Sequence, residues 1–254
     1  MGYDLQTGSN EKKFNYNDLM KKRIKILIEH IKKVLLKKKK CNIIEIGIGE
    51  GNTMRHLIGN LDKNLIKNIN FFGVELSFSR IKICKKHIPY CNLIVSDMKH
   101  LPFNNNCFDI VYTSSAIEPN LNEEEVILKE LYRITSGNLI LFEISYKEAN
   151  KKLKERFNKH KYVKFIYETI NLLNYNLKNY EKLTNNDKYN NYYFNIIKNK
   201  EHNKLNLISP ILQDSLIIVK YNNSKYYKSE NLNLYYQIID DIPILIHKNS
   251  ILIK

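Results

Sequence analysis

Three acidic side chains and three glycines are placed where they could hold a nucleotide-like ligand. In the run IIEIGIGEGNT, Glu45 ends an apolar stretch and is followed at alternate positions by Gly47, Gly49 and Gly51. Small alternating residues let backbone amides approach a ligand closely, and Asn52 can open a helix beneath it. A dinucleotide fingerprint needs a third glycine three positions after the second, where Asn52 stands, so the spacing counts against a pyrophosphate ligand. Further on, FFGVELS delivers Glu75 at the end of a second apolar run, about where an acid accepts hydrogen bonds from both hydroxyls of a ribose. Asp97 ends a third such run in NLIVSDMKHLPF. Taken singly, the glycines would suit an ordinary turn, and each acid a helix cap or a solvated strand end.

The E-x-G-x-G-x-G pattern of Glu45, Gly47, Gly49 and Gly51 resembles motif I of the class I methyltransferases, of the type 11-like kind, which use S-adenosylmethionine. The later segments follow in that family's order: FDIVYTSSAIEPN resembles its fourth-strand motif, and LKELYRITSGNLILFEISY the helix and fifth strand after it. The resemblance implies S-adenosyl-L-methionine as cofactor. Its amino-acid end would lie over the glycines and its ribose on Glu75. Asp97 and Met98 would hold the adenine, and Glu45 and Ser114 would complete the cofactor-binding set.

The chemistry then needs an acceptor atom in line with the carbon–sulfur bond, water kept out, and for a hydroxyl acceptor a base to take its proton. Glu118 and His160 are the candidate catalytic groups. Asn120, Glu143, Tyr146, Arg156 and Tyr162 are the candidate substrate contacts. A lone histidine such as His160 is also an ordinary surface or capping residue. Methyltransferases that act on nucleobase or amide nitrogens typically carry (N/D)-P-P-(Y/F) after the fourth strand. This chain has TSSAIEP from Thr113 to Pro119 instead, which points to a small-molecule acceptor.

To bring these residues together, short apolar runs must alternate with helices, and that pattern predicts an α/β fold. Strands are expected near Asn42 to Gly47, Phe71 to Glu75, Asn92 to Ser96, Phe108 to Thr113 and Asn138 to Ile144, with ligands at their carboxyl ends. A helical stretch is expected from Lys147 to Asn174. Strands from Asn176 to Leu183 and Tyr192 to Lys198 would then complete the family's Rossmann-like, seven-stranded, mostly parallel sheet, with helices on both faces.

Before this domain (41–200), residues 1–40 comprise a polar segment, with Thr7 to Phe14 a candidate lid, and a basic amphipathic helix from Asp18 to Lys40. Its apolar stripe of Ile24, Leu27, Ile28, Ile31, Val34 and Leu35 suits packing on the sheet better than lying on a membrane or nucleic acid. After it, 201–254 forms a small, mainly β appendage. Ser209-Pro210, Tyr236, Asp241, Ile242 and Pro243 resemble a zinc-ribbon methyltransferase-activator domain, with Ser209 where that family has cysteine. No cysteine lies beyond Cys107, so such a ribbon would hold no metal.

Composition narrows the partners. The formal charge is +15, which invites a nucleic-acid reading, yet the chain has 36 Lys against 5 Arg, with 35 Asn and no Trp. That profile suits A/T-rich coding, and isolated lysines lack the planar forks that grip phosphate. Cys41, Cys84, Cys91 and Cys107 form no CxxC pair and suit buried positions in a reducing, cytoplasmic setting; no metal site is expected. No uncharged apolar run approaches the roughly 18 residues a membrane span needs. The sequence thus points to a methyltransferase acting on the oxygen or nitrogen of a small metabolite, with sugar or glycan precursors among the candidates. A transfer or ribosomal RNA methyltransferase is the first alternative, and a non-catalytic S-adenosylmethionine-binding module the second. Oligomeric state is left open.

Overall fold

The first five strands are runs rich in Ile, Val, Leu and Phe, as strands covered on both faces require. The computed structural model describes residues 17–184, 190–222 and 224–252; the candidate lid from Thr7 to Phe14 lies outside them. In chain order the strands are β1 (Cys41–Ile46), β2 (Ile69–Glu75), β3 (Asn92–Val95), β4 (Phe108–Ser114), β5 (Thr135–Ile144), β6 (Asn176–Lys182) and β7 (Asn191–Ile197). They form one sheet in the order β3-β2-β1-β4-β5-β7-β6, parallel except where β7 runs antiparallel to both β5 and β6. The fold is therefore α/β and Rossmann-like.

Alternate residues of each strand feed two cores. Ile43, Ile110, Tyr112, Ile140 and Phe142 meet α1 (Asp18–Leu35), α2 (Asn52–Asn60) and α4 (Phe78–His87) on one face. Short α3 (Lys63–Ile66) links α2 to β2. Ile44, Val111, Leu139 and Leu141 meet α5 (Glu124–Ile134), α6 (Lys151–His160) and α7 (Ile166–Leu172) on the other. All four cysteines are buried and unpaired.

Two helical expectations need correction. The first helix stops at Leu35 and not at Lys40, because four consecutive lysines, Lys37 to Lys40, follow its last apolar position and their like charges favour a turn. The stretch from Lys147 to Asn174 is two helices. α6 closes on Lys161, which adopts a left-handed φ of 53° as its cap, and α7 restarts at Ile166.

The C-terminal residues form an antiparallel sheet of β8 (Leu216–Tyr221), β9 (Ser224–Ser229), β10 (Leu234–Ile239), β11 (Ile242–Pro243) and β12 (Ile251–Leu252). It is docked on the open edge of β3. Ile244 bridges Val95 in parallel, the Leu245 amide donates to the Val95 carbonyl at 2.8 Å, and the Ser96 hydroxyl donates to the Leu245 carbonyl at 3.0 Å. On the far side of the same loop Leu207 bridges Phe103, and the Ile208 amide donates to the Pro102 carbonyl.

At the opposite end of the sheet Asp109 ties three elements together. Its carboxylate accepts from the Asn42 amide at 2.8 Å, pairs with Lys38, and lies 3.4 Å from Nδ1 of His202. Burial pushes its pKa up, but bonds from His202, Lys38 and the Asn42 amide outweigh this and hold it below the usual value. An acid depressed in the folded state stabilises the fold above its unfolded value of about 3.9, and that contribution fades as pH falls through the folded value. Asp109→Asn should therefore cost about 2 kcal/mol of unfolding free energy at pH 7. In urea melts compared at neutral and strongly acidic pH, the gap to the parent chain should shrink at the acidic one.

Candidate functional site

The strand order reverses where β1 separates β2 from β4, and a cavity of about 570 Å³ opens there at the carboxyl ends. Glu45, Gly47, Glu75, Asp97, Met98, Ser114, Glu118, Asn120, His160 and Tyr162 all line it. Parallel register explains the gathering: Glu45 pairs with Gly73 of β2 and Tyr112 of β4, and Glu75 pairs with Val95 of β3, so successive strand tips end side by side.

The turn after β1 is left-handed at Gly47, Gly49 and Gly51, with φ of 74°, 58° and 85°. At Gly47 a Cβ would collide with the Ala116 methyl, so glycine keeps the cavity open between the β1 and β4 tips. At Gly49 a Cβ would come within 2.5 Å of the Arg80 guanidinium, and the bare amide donates to Glu75 Oε2 at 2.9 Å. Gly49 and Gly51 shape the turn without lining the cavity. Gly51 supplies the N-cap from which Asn52 begins α2.

Each acid is held differently. Glu45 is buried and accepts from the Tyr112 hydroxyl at 2.8 Å. Burial raises its pKa to about 8 against bonds from Tyr112, Thr53 and the Met54 amide, so it carries its proton at neutral pH. Glu75 Oε1 takes the amides of Leu76 and Ser77, both at 3.0 Å, while Oε2 takes Gly49 and faces Arg80 at 3.6 Å. Asp97 accepts from the Lys99 amide at 2.9 Å.

At the other end of the cavity, the Glu118 pKa is raised mainly by burial, against the charge of Arg23, a bond from the Ser115 side chain and the charge of Arg156. His160 ends α6 and lies 5.6 Å, ring to ring, from Tyr162.

Three candidate substrate contacts do not line the cavity. Glu143 points to the opposite face of β5 from Phe142 and is fully buried, where Oε1 accepts the Ala116 amide at 3.0 Å. Burial and then the like charge of Glu118 raise its pKa to about 7. It supports the loop after β4. Tyr146 is turned onto Phe157, with Lys154 and Lys164 over its ring. Arg156 reaches Glu118 only through its charge.

Arg80, Thr53, Ser115 and Lys99 line the cavity without a local motif to announce them. Behind the wall stands Arg23 of α1, donating to Ser114 Oγ at 2.7 Å. Its one sequence signal is being an arginine in a lysine-rich helix. Among the described residues no group of three or more His, Cys, Asp or Glu could hold a metal, and no helix is long and apolar enough to cross a membrane.

The residues fit a nucleoside carrying an amino acid. Glycine geometry leaves room over the turn, Glu75 Oε2 has acceptor capacity beside its single amide, and Asp97 and Met98 stand two strands away. Residues 44–142 match the family model described as "Methyltransferase domain". A demethylmenaquinone methyltransferase of Streptomyces griseus subsp. griseus is 33% identical over 73 residues, covering 28% of this chain and 31% of that protein. The chain spans about a third of the length of the curated relatives it matches. Among solved structures, the plantazolicin methyltransferase BpumL has a TM-score of 0.55 at 14% identity, over 77% of this chain and 90% of that one. The [4+2]-cyclase SpnF also has a TM-score of 0.55, at 12% identity, over 69% and 80% respectively. At such identities the likeness is one of fold, and a cyclase shares it.

Gly47→Ala should lower stability by about 1–3 kcal/mol through its left-handed φ and the Ala116 contact. In the same thermal melts Gly59→Ala, in α2 with open space around it, should be neutral or stabilising by up to about 1 kcal/mol.

Proposed function

We propose, from the premise that residues 44–142 form an S-adenosylmethionine-dependent methyltransferase domain, that this chain methylates an oxygen or nitrogen of a small metabolite. Sugar and glycan precursors are among the acceptors that suit it. One observation carries the reading: the same cavity has Glu75, Asp97 and the Gly47 turn at one end and Glu118 with His160 at the other.

When bound, S-adenosylmethionine supplies an electrophilic methyl group. Glu75 would hold its ribose, Asp97 and Met98 its adenine, and the Gly47 turn its amino-acid end. Glu118 then accepts the acceptor's proton at a carboxylate oxygen, and Asn120, His160 and Tyr162 orient the acceptor. Glu45 and Glu143 are structural acids: the first is protonated against Tyr112, and the second braces the Ala116 amide.

Charge supports a small acceptor over RNA. Leaving aside the protonated Glu45, the cavity lining has Glu50, Glu75, Asp97 and Glu118 against Arg80 and Lys99, an excess of acids that a polyanion would meet as repulsion. The volume of about 570 Å³ is ordinary for small-molecule sites. A quinol-like acceptor is a second reading, favoured by the demethylmenaquinone methyltransferase relatives.

In this reading residues 201–254 are a metal-free relative of the activator ribbon. The buried Ser209–Tyr236 hydroxyl pair at 3.0 Å stands where that family begins its metal site. The four unpaired buried cysteines suit a cytoplasmic enzyme.

Calorimetric titration with S-adenosylhomocysteine should give binding for the parent chain and at least tenfold weaker binding for Asp97→Ala and Gly49→Asp, about 1.4 kcal/mol or more. Unchanged affinity in both variants would defeat the cofactor assignment. Glu118→Gln should bind the product normally yet stop methyl incorporation from labelled cofactor into the small-molecule fraction of a cell extract.

A further inference from the structure

The loop between β3 and β4 carries one end of the cavity. Its first residues, Ser96, Asp97, Met98 and Lys99, line it. Asp97 sits in a tight turn, where Oδ1 accepts from the Lys99 amide at 2.9 Å and the Asp97 carbonyl from the His100 amide at 3.0 Å. Such a turn opens readily unless something outside it holds the backbone.

The second half of the loop is held from within the domain by α5. Arg133 donates to the carbonyls of Leu101 at 2.9 Å and Phe103 at 2.6 Å, and Glu130 accepts the Leu101 amide at 3.0 Å. The first half, next to the cavity, is joined to β2 by one bond, from the Ser96 amide to the Glu75 carbonyl at 3.1 Å, and otherwise meets the C-terminal tail. Ser96 is buried, and its hydroxyl has one proton to give. That proton is shared between the Leu245 carbonyl at 3.0 Å and the carbonyl of His100, which closes the Asp97 turn, at 3.3 Å. The Leu245 amide returns a bond to the Val95 carbonyl at 2.8 Å, so one tail residue grips the last residue of β3 and the first of the loop. Leu245 is itself fully buried in the core that holds Leu101 and Phe103, while Ile244 belongs with Leu93 and Val95 on the other face. Further along, Asn104 donates through its side chain to the Lys204 carbonyl at 2.9 Å and accepts the Asn206 amide at 2.8 Å. Two separate stretches of the tail thus close on one loop.

We propose that the tail is a clamp for the adenine end of the site: Leu245, acting through Ser96, is a positioning residue that holds Asp97 and Met98 where the ring would lie. The proposal rests on the reading of those two residues as the adenine contacts. Tail docking and cofactor binding then favour one another, and by linkage the effect is reciprocal. Whatever factor tail opening takes from cofactor affinity, bound cofactor takes from tail opening. A tail that only thickened the fold would open equally often with and without ligand.

Amide hydrogen exchange of the full chain, with and without saturating S-adenosylhomocysteine, tests this without any substitution. The Leu245 and Ile208 amides, which donate to the carbonyls of Val95 and Pro102, should exchange about fivefold more slowly with ligand bound. Ile218 and Val219, paired with Tyr227 and Tyr226 in the outermost strand β8, should change by less than about twofold. A second arm measures affinity for the same ligand by calorimetry in Leu245→Ala, which retains the backbone groups and empties the packing behind them. It should bind about fivefold more weakly than the parent chain. In an Asp97→Ala background the same substitution should cost less than about twofold, because the contact it positions is gone. Unchanged exchange at Leu245 and Ile208, slowing shared equally by β8, or equal losses from Leu245→Ala in both backgrounds overturns the proposal. Should Leu245→Ala not fold, the exchange result decides alone. No binding by the parent chain defeats the cofactor reading and this proposal with it, whereas binding without coupling defeats the proposal alone.

Discussion

The in-register pairing of three parallel strands is the constraint on which the site depends. β1, β2 and β4 pair so that Glu45, Gly73 and Tyr112 lie abreast, and the strand tips beyond them part where the sheet order reverses. A slip of one residue in β1 would turn Glu45 to the other face and bury the turn that follows. The apolar residues on both faces prevent it: Ile43 belongs to one core, and Ile44 and Ile46 to the other. Burial energy therefore fixes where the polar groups stand.

Those polar groups oppose burial, and the structure answers each one locally. Glu45 is held near neutrality by burial and closed off by Tyr112. Glu143 has backbone amides of the loop after β4, and Asp109 has an amide, the Lys38 ammonium and the His202 ring. Glu118 differs because it opens onto the cavity. One carboxyl group can thus be chemically available while its neighbours serve the backbone, although all are acids on adjacent strands.

Much of this was legible in the sequence because it is local. Two apolar faces per strand, the glycine turn after Glu45 and the acids that close β2 and β3 are statements about neighbouring residues, and the strands lie within a few positions of where the pattern put them. Contacts set by distant segments were not legible. Arg23 meets Ser114 across 91 positions, and Ser96 meets Leu245 across 149. Nothing in either neighbourhood encodes the other. Their place at the end of a strand points Glu143 and Tyr146 toward the ligand, but the direction of a side chain there depends on what packs above it.

The docking of Ile244 and Leu245 beside Val95 has a colloidal side. An open parallel sheet exposes two rows of unpaired backbone groups, each a template for another chain. Here one row is occupied by the chain's own tail, and the other belongs to β6, where Lys178, Glu181 and Lys182 put charge along the margin. The tail therefore covers the β3 margin at Val95 and leaves less of it open to pairing with a second strand.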